Sequence, residues 1–518
     1  MTADDGKPLK MVVSGAAGTG KSRLIRAVVN RGHLLWGKTE SQYGSVLVVG
    51  PTGCSAFAAG GYTWQSALSK TKDSERNVSR KLLAGTAFKL QSKLKGVQML
   101  IFDEFSMLSC NDLVDVERRL RAAQTDPVRK QLLFGGFHVL FLGDFYQLPP
   151  VGGDSLYTTN SKFSASREGR AIWEQFDVFG ELLVNRRFKK PNGALARLAA
   201  KARVGNVCPV KDKRLMDEVN ARVAPTQRLA EKCSKDNALW IAPTNENCEE
   251  INLLKTKHLV DKGHQTCRIW AQHRGSNHEN ELSLRNSQVS IWPRLVALKP
   301  KGQDKYQGKG IGLNKLDLCV GSRVRCTRNL CTMAALYQGA LGTVVGFGFS
   351  DDQVPEDYAF SSRESTLEKA AKCDYLRKPL PLVYVQMDKG VFKSCFADKP
   401  NVVCFSAMPQ ERKIDGKFTR WIHPLVLAHA STYHKAQGLT LHDGVVMKPP
   451  RHNAELGLAY VGISRVTDIE DLTLLSAVNA EHFTTRPHKR ALIEAEYERL
   501  RRDHLLVARA TLRARKQP

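Results

Sequence analysis

The feature that most constrains this chain is a glycine-rich turn between an apolar run and a helical pattern. Leu9–Ser14 has the length and composition of a buried strand. It passes directly into Gly15-Ala16-Ala17-Gly18-Thr19-Gly20-Lys21-Ser22. Leu24, Ile25, Val28 and Val29 then recur at helical spacing, with an expected stop at Gly32. Strand, G-x-x-x-x-G-K-S and helix in that order read as a phosphate loop. The glycines let the backbone turn its N–H groups onto a phosphate, and the helix N-terminus adds positive potential. Lys21 would reach the β/γ-phosphates as a point charge, and the Ser22 hydroxyl would ligate Mg²⁺. The expected site is one for a nucleoside triphosphate.

Two further apolar runs deliver chemistry at their C-terminal ends. Val97–Phe102 ends in Asp103-Glu104, where Asp103 would hold Mg²⁺ and Glu104 would orient and deprotonate an attacking water. His138–Leu142 runs into Gly143-Asp144-Phe145-Tyr146-Gln147-Leu148-Pro149-Pro150, where the uncharged amide of Gln147 could sense a γ-phosphate.

At 518 residues and 42% hydrophobic content, the chain has room for roughly three to four domains and is not a disordered or low-complexity polymer. It carries 78 Lys+Arg against 51 Asp+Glu, a formal net charge of +27. That excess points to a polyanionic partner, most simply nucleic acid; a basic, inert surface is the bland alternative. No uncharged apolar window is long enough to span a membrane. The polar N-terminus resembles neither a secretory signal nor a transit peptide. The 12 cysteines include no C-x-x-C and read as mostly reduced, buried thiols of an intracellular protein. His264, Cys267, His273 and His278 form a loose cluster that matches no standard zinc spacing.

The ordered motifs resemble those of superfamily-one DNA helicases of the Pif-one/RecD branch. They are Gly15–Ser22, Gly50-Pro-Thr-Gly53 with Gly61-x-Thr63-x-x-Ser66, Asp103-Glu104-Phe-Ser106, and Gly143-Asp-Phe-x-Gln147-Leu-Pro-Pro-Val151. Asn185-Arg-Arg187, Pro243-Thr244-Asn245, His434-Lys435-x-Gln437-Gly438-x-Thr440 and Ser464-Arg465 complete the set, which runs from about residue 9 to about 475. The resemblance implies an α/β fold of two RecA-like parallel-sheet domains with ATP between them. It also implies ATP-driven 5′→3′ translocation on single-stranded DNA with duplex unwinding, in repair, recombination and telomere maintenance. An RNA-directed superfamily-one helicase and a hydrolysis-deficient DNA-binding scaffold are the alternatives.

Roles follow position by position from the resemblance. Lys21, Glu104, Gln147, Arg187 and Arg465 are the expected catalytic set, the two arginines being presented to the γ-phosphate by the second domain. Gly15, Ala16, Ala17, Gly18, Thr19, Gly20, Lys21, Ser22 and Gly438 are expected at ATP, and Ser22 with Asp103 at Mg²⁺. Thr52, Gly53, Thr63, Thr432, His434 and Lys435 are expected to grip single-stranded DNA, independently of sequence. Phe57, Trp64 and Tyr146 read equally well as base-stacking or core aromatics. Single-stranded, duplex and fork DNA are the implied partners. A monomer on DNA, inside the cell and nuclear or mitochondrial if eukaryotic, is the expected setting.

Four departures mark a divergent member. A glutamine segment usual about twenty residues before the phosphate loop has no counterpart in the fourteen residues preceding Gly15, so adenine selectivity is unassigned or the chain is abbreviated or truncated. Gln65 replaces a histidine, Phe188 replaces a glutamine after the motif arginine, and Leu458 replaces one before Ser464-Arg465. The expected organisation is a first RecA-like domain over 1–180 and a second over 181–316 and 410–480. A wedge insertion, or a solvated loop and helix, falls at about 68–95. A β-barrel-like insertion is expected at 317–409, with Asp351–Pro379 as a loop or extra helix. His264–Pro300 reads as a surface insertion. The basic helical tail, 481–518, is either a DNA-contacting or partner-docking appendage or a helix packed on the body.

Overall fold

The computed structural model describes residues 7–504 except 38, 40, 42, 71–81, 225–237, 276–314, 332, 333, 335, 350–379, 389–393, 395, 398, 410–417, 440, 442, 452–456 and 485. The chain divides into two compact units, Met1–Pro243 with Tyr433–Pro518, and Thr244–Thr432.

The first unit is organised by a six-stranded sheet made of β1 (Lys10–Gly15), β2 (Val46–Gly50), β3 (Tyr62–Thr63), β4 (Met99–Phe102), β5 (His138–Gly143) and β6 (Val178–Leu182). Their order is β3-β2-β4-β5-β1-β6, and every pairing is parallel. Runs such as Val46-Leu-Val-Val and Met99-Leu-Ile-Phe are apolar throughout because both faces of such a sheet are covered. Val12, Leu100, Phe102 and Phe141 pack on one face in a cluster that includes helix residues Leu113 and Trp173. Val13, Val48, Ile101 and Leu140 pack on the other face with Ile25 of the helix after the phosphate loop.

That helix does not stop at Gly32. It runs Lys21–Trp36 and is capped at Gly37, φ +73°. Gly32 serves close packing instead, since a Cβ there would lie 2.3 Å from Val46 Cγ2. A second parallel sheet in this unit joins Leu239–Ala242, Val445–Met447 and Leu472–Leu474. Its core includes the helices Ala194–Arg203, Lys213–Asn220 and Leu458–Ile463.

The basic tail departs from the picture of an appendage. Helix Pro487–His504 places Ile493, Tyr497 and Leu500 in the same apolar cluster as Trp173 and Phe145. Its Glu496 is buried between the Arg170 guanidinium at 2.6 Å and the Trp173 indole N–H at 2.8 Å. Residues 505–518 lie outside the described residues. Trp64 and Tyr146, 2% and 7% exposed, are core aromatics; the Phe57 side chain is not described. Helix Ala84–Leu94 buries Leu90 and Leu94 in the same cluster while Leu83 and Phe88 stay exposed, so this end of the 68–95 stretch is packed on one face and solvated on the other. Residues 71–81 of that stretch lie outside the described residues.

The second unit is mostly antiparallel. Strands Val402–Phe405, Leu382–Met387, Leu341–Gly348, Arg323–Cys326 and Leu425–Leu427 form a five-stranded sheet in that order. The start of His264–Pro300 is not a surface insertion. Thr266–Trp270 pairs with Lys315–Cys319 and buries Cys267 and Ile269 completely, while Arg268 donates from Nε and Nη2 to Asp317 at 2.8 and 3.0 Å. Alternation is masked there because the one charged side chain is itself buried and paired. His278 and Asp351–Pro379 lie outside the described residues.

One packing contact in the first unit predicts an inverted helix-propensity effect. Replacing a helical glycine by alanine ordinarily stabilises by about 1 kcal/mol. At Gly169, in helix Ser164–Trp173, the new Cβ would stand 2.1 Å from the Cys110 carbonyl oxygen. Gly169→Ala is expected to destabilise by about 1–3 kcal/mol, read from denaturant midpoints.

Candidate functional site

Parallel register fixes the site's location. Ser14 lies opposite Gly143 and Phe102 opposite Phe141, so β4, β5 and β1 end side by side. Three loops therefore leave one edge together: Asp103-Glu104, Asp144–Gln147 and the phosphate loop. Loops at the carboxyl end of a parallel sheet are where such folds bind ligands.

In the phosphate loop, Gly18 and Gly20 take φ +87° and +96°, the left-handed region in which a side chain is strained. Nothing lies within 4 Å of where a Cβ at Gly20 would stand. Lys21 is 9% exposed, and its Nζ donates to the carbonyls of Gly15 at 2.6 Å and Ala16 at 3.2 Å. Thr19 Oγ1 donates to the Ala16 carbonyl at 2.9 Å. Ser22 is exposed at the start of the helix.

Elements from beyond β6 cover this loop. Asn185 Nδ2 donates to the Ala17 carbonyl at 2.7 Å, and the Arg186 N–H donates to that of Gly18 at 2.8 Å. The Ala17 N–H donates to the Tyr460 hydroxyl at 3.0 Å. Approach is so close that a Cβ on Gly18 would stand 2.4 Å from Arg187 Cβ. Arg187 donates from Nη1 to the Ser464 carbonyl. Arg465, 1% exposed, donates to the carbonyls of Val461 and Leu439 at 2.9 and 3.1 Å and to Ser464 Oγ at 2.8 Å.

The acidic pair faces these cations. Glu104 holds φ +55°, uncommon for a residue with a side chain. Its N–H donates to Asp103 Oδ1 at 3.0 Å, and its carboxylate accepts from Gln437 Nε2 at 3.2 Å. A Cβ on Gly438, φ +83°, would lie 3.7 Å from Glu104 Oε1. Burial, then the Glu104 carboxylate, pushes Asp103 up to about 7, against the pull of Lys21. Burial, then the Arg187 guanidinium, brings Arg465 down to about 9, against the pull of Glu104. Burial also lowers Arg187, while Tyr460 and Glu104 support its charge. Electrostatic interactions thus link five ionisable groups from four motifs, with cations answering carboxylates across loops.

Gln147 is 1% exposed, and neither polar atom of its side-chain amide has a hydrogen-bond partner among the described residues. Ser106 Oγ and Gln437 Oε1 are likewise buried and unmatched. Buried polar groups are normally paired, so these point to a ligand with donors and acceptors of its own.

The remaining sequence expectations are more scattered. Thr52 and Thr63 follow or end the adjacent strands β2 and β3. Thr52 Oγ1 meets Ser55 Oγ at 2.9 Å, and Thr63 caps the helix Trp64–Ala67 through the Ser66 N–H at 3.4 Å. Gly53 opens helix Gly53–Ala58. His434 and Lys435 sit in helix Tyr433–Ala436 of the first unit, whereas Thr432 is the last residue of the second. Sequence reasoning missed Tyr460, Gln437 and Asp144 as site residues. Gln437 and Asp144 stand inside motifs that were legible, but Tyr460 carries no signal of its own.

The Asp103 environment predicts a pH dependence. Its carboxyl titrates higher in the folded chain than the ordinary 3.8, so the folded state binds the extra proton between those values. The stability this contributes is present below about 4 and is lost as pH rises to about 7. Asp103→Asn should therefore gain on the parent chain as pH climbs through that window, in urea titrations at matched pH.

The PIF1-like helicase family model matches residues 2–199. Uncharacterized protein 030L of Invertebrate iridescent virus 6 is 23% identical over 492 residues, 89% of this chain and 87% of that protein. ATP-dependent DNA helicase RRM3 of Saccharomyces cerevisiae is 24% identical over 91% of this chain, and ATP-dependent DNA helicase PIF1 of Candida albicans is 30% identical over 90%. The chain spans 63% and 52% of the length of those two. Among solved structures, Pif1 helicase from Candida albicans has a TM-score of 0.60 at 22% identity, covering 96% of both chains. Bacteroides Pif1, in complex with ADP-AlF3 and single-stranded DNA, also reaches 0.60, at 20% identity over 96% of this chain and 94% of its own. These likenesses show the α/β fold with RecA-like parallel sheets. The chain is similar to the PIF1-like helicases.

Proposed function

We propose that this protein is an ATP-dependent DNA helicase that moves 5′→3′ on single-stranded DNA. The observation that carries this reading is the meeting of the buried Lys21, Glu104 and Arg465 with the half-buried Arg187, drawn from four distant motifs. Relatives named as ATP-dependent DNA helicases, and a fold neighbour holding ADP-AlF3 with single-stranded DNA, support it. The net charge of +27 suits a polyanionic partner.

The donor set fits a magnesium nucleotide. The left-handed Gly18 and Gly20, with open space at Gly20, suit a phosphate cradle, the orphaned Gln147 amide awaits a polar partner, and Asp103 is a buried carboxyl that a cation would hold ionised. Ser22 and Asp103 would hold Mg²⁺, which supplies neutralising charge at the phosphates. Lys21 exchanges the carbonyls of Gly15 and Ala16 for phosphate oxygens. Glu104 orients the attacking water and accepts its proton. Gln147 aligns the same water or reads the γ-phosphate. Arg187 and Arg465 meet the charge that develops on the transferred group, a contribution on the order of 10³–10⁵ in turnover in related enzymes.

Coupling to DNA follows from where the cations sit. In this reading residues 1–180 form one lobe and 181–316 with 410–480 the other, so the two arginines reach the phosphate from the opposite lobe, and each turnover closes and reopens the cleft. Thr52, Gly53, Thr63, Thr432, His434 and Lys435 grip the strand backbone. The 68–95 segment is assigned as a strand-separating wedge and 317–409 as a β-barrel-like accessory. No helix among the described residues is long and apolar enough to cross a membrane.

Lys21→Ala and Glu104→Gln should each lower DNA-stimulated ATP turnover by on the order of 10²-fold or more while retaining single-stranded DNA binding. Retained turnover would misplace the site, and stimulation by RNA but not DNA would favour an RNA-directed motor. Arg465→Ala should abolish turnover with little change in nucleotide affinity. Strand displacement should require a 5′ overhang; unwinding from a 3′ overhang alone reverses the polarity.

A further inference from the structure

The helix Pro487–His504 carries a residue that no motif announces, and it reaches the rear of the nucleotide site. The Tyr497 hydroxyl accepts from Ser14 Oγ at 2.9 Å and from the Phe145 N–H at 2.9 Å, and it donates to Asp144 Oδ1 at 3.2 Å. One donor and two acceptor positions are all a phenol has, so the group is saturated. Ser14 immediately precedes the phosphate loop, and Asp144 and Phe145 lead into Gln147. Asp144, wholly buried, also takes a two-pronged ion pair from Arg203 at 2.8 and 2.9 Å. The Tyr146 ring is held between the Arg203 guanidinium at 4.8 Å and the Tyr497 ring at 5.5 Å. Arg501 of the same helix pairs with Glu181 of β6 at 2.8 and 2.9 Å. Burial keeps the Tyr497 phenol far above its ordinary range, so its proton remains on oxygen.

We infer that Tyr497 is a positioning residue for nucleotide hydrolysis: its hydroxyl locks the Gln147 loop to the strand bearing the phosphate loop, and so sets where the Gln147 amide points. Gln147 needs such an outside support because its own side-chain amide has no partner among the described residues. The inference rests on the proposed ATPase reading.

Tyr497→Phe keeps the ring and removes the three hydrogen bonds. DNA-stimulated ATPase on the full chain should show kcat lowered about fivefold or more with KM for ATP unchanged. In a Gln147→Ala background the same substitution should have no further effect, because the two act as one unit. An unchanged kcat, a rise confined to KM, or additive losses in the double variant would overturn the inference. Absence of ATPase in the parent chain would instead overturn the function on which it rests. If Tyr497→Phe does not fold, Ser14→Ala, which removes one partner of the hydroxyl, is read by the same kcat and double-variant criteria.

Discussion

Everything in the candidate site depends on the parallel pairing of β4, β5 and β1. A parallel sheet gives all its strands one direction, so three loops far apart in sequence must emerge at the same edge. The register sets Ser14 against Gly143 and Phe102 against Phe141. Moving one strand by a single residue would turn its side chains to the other face and break both apolar layers. Burial of those layers, not any interaction among the polar residues, is what holds the chemistry together. Gly32 and Gly169 extend the same logic, letting helices approach so closely that a methyl group would collide with a neighbouring side chain or carbonyl.

Placed on that frame, the ionisable groups pay a desolvation penalty that only mutual proximity offsets. Asp103 is pushed up to about 7 and Arg465 down to about 9, in both cases chiefly by burial. Carboxylates and guanidiniums partly relieve one another, Glu104 supporting both arginines. Such an arrangement is costly to fold and suits a site where charge must be stabilised without reorganisation. The amide of Gln147 belongs to the same pattern, a buried polar group without a partner among the described residues.

Much of this was legible in the linear chain where chemistry and chain direction coincide. The phosphate loop, Asp103-Glu104 and Gln147 each follow a continuous apolar run, and β1, β4 and β5 lie within a few residues of the expected strands. Less was legible where one residue serves two purposes. Gly32 looked like a helix stop and is a packing device; Arg268 interrupted an apolar run and is buried on Asp317. The charged tail, with its Glu–Arg pairs, resembled a surface helix. Its three fully buried apolar residues, Ile493, Tyr497 and Leu500, are too few to stand out against that background.

The sequence by itself picked out Gly15–Ser22, Asp103-Glu104 and Gln147 as candidates, because phosphate chemistry tolerates few residue types at those spacings. Only the tertiary structure decided that Arg187 crosses Gly18, that Tyr460 and Gln437 reach the loop and Glu104, and that Tyr497 closes on Ser14 and Asp144. Those pairs are separated by up to several hundred positions, and hydrogen bonds of that kind leave no local periodicity. They exist only once apolar burial has chosen which strand ends and helix faces meet.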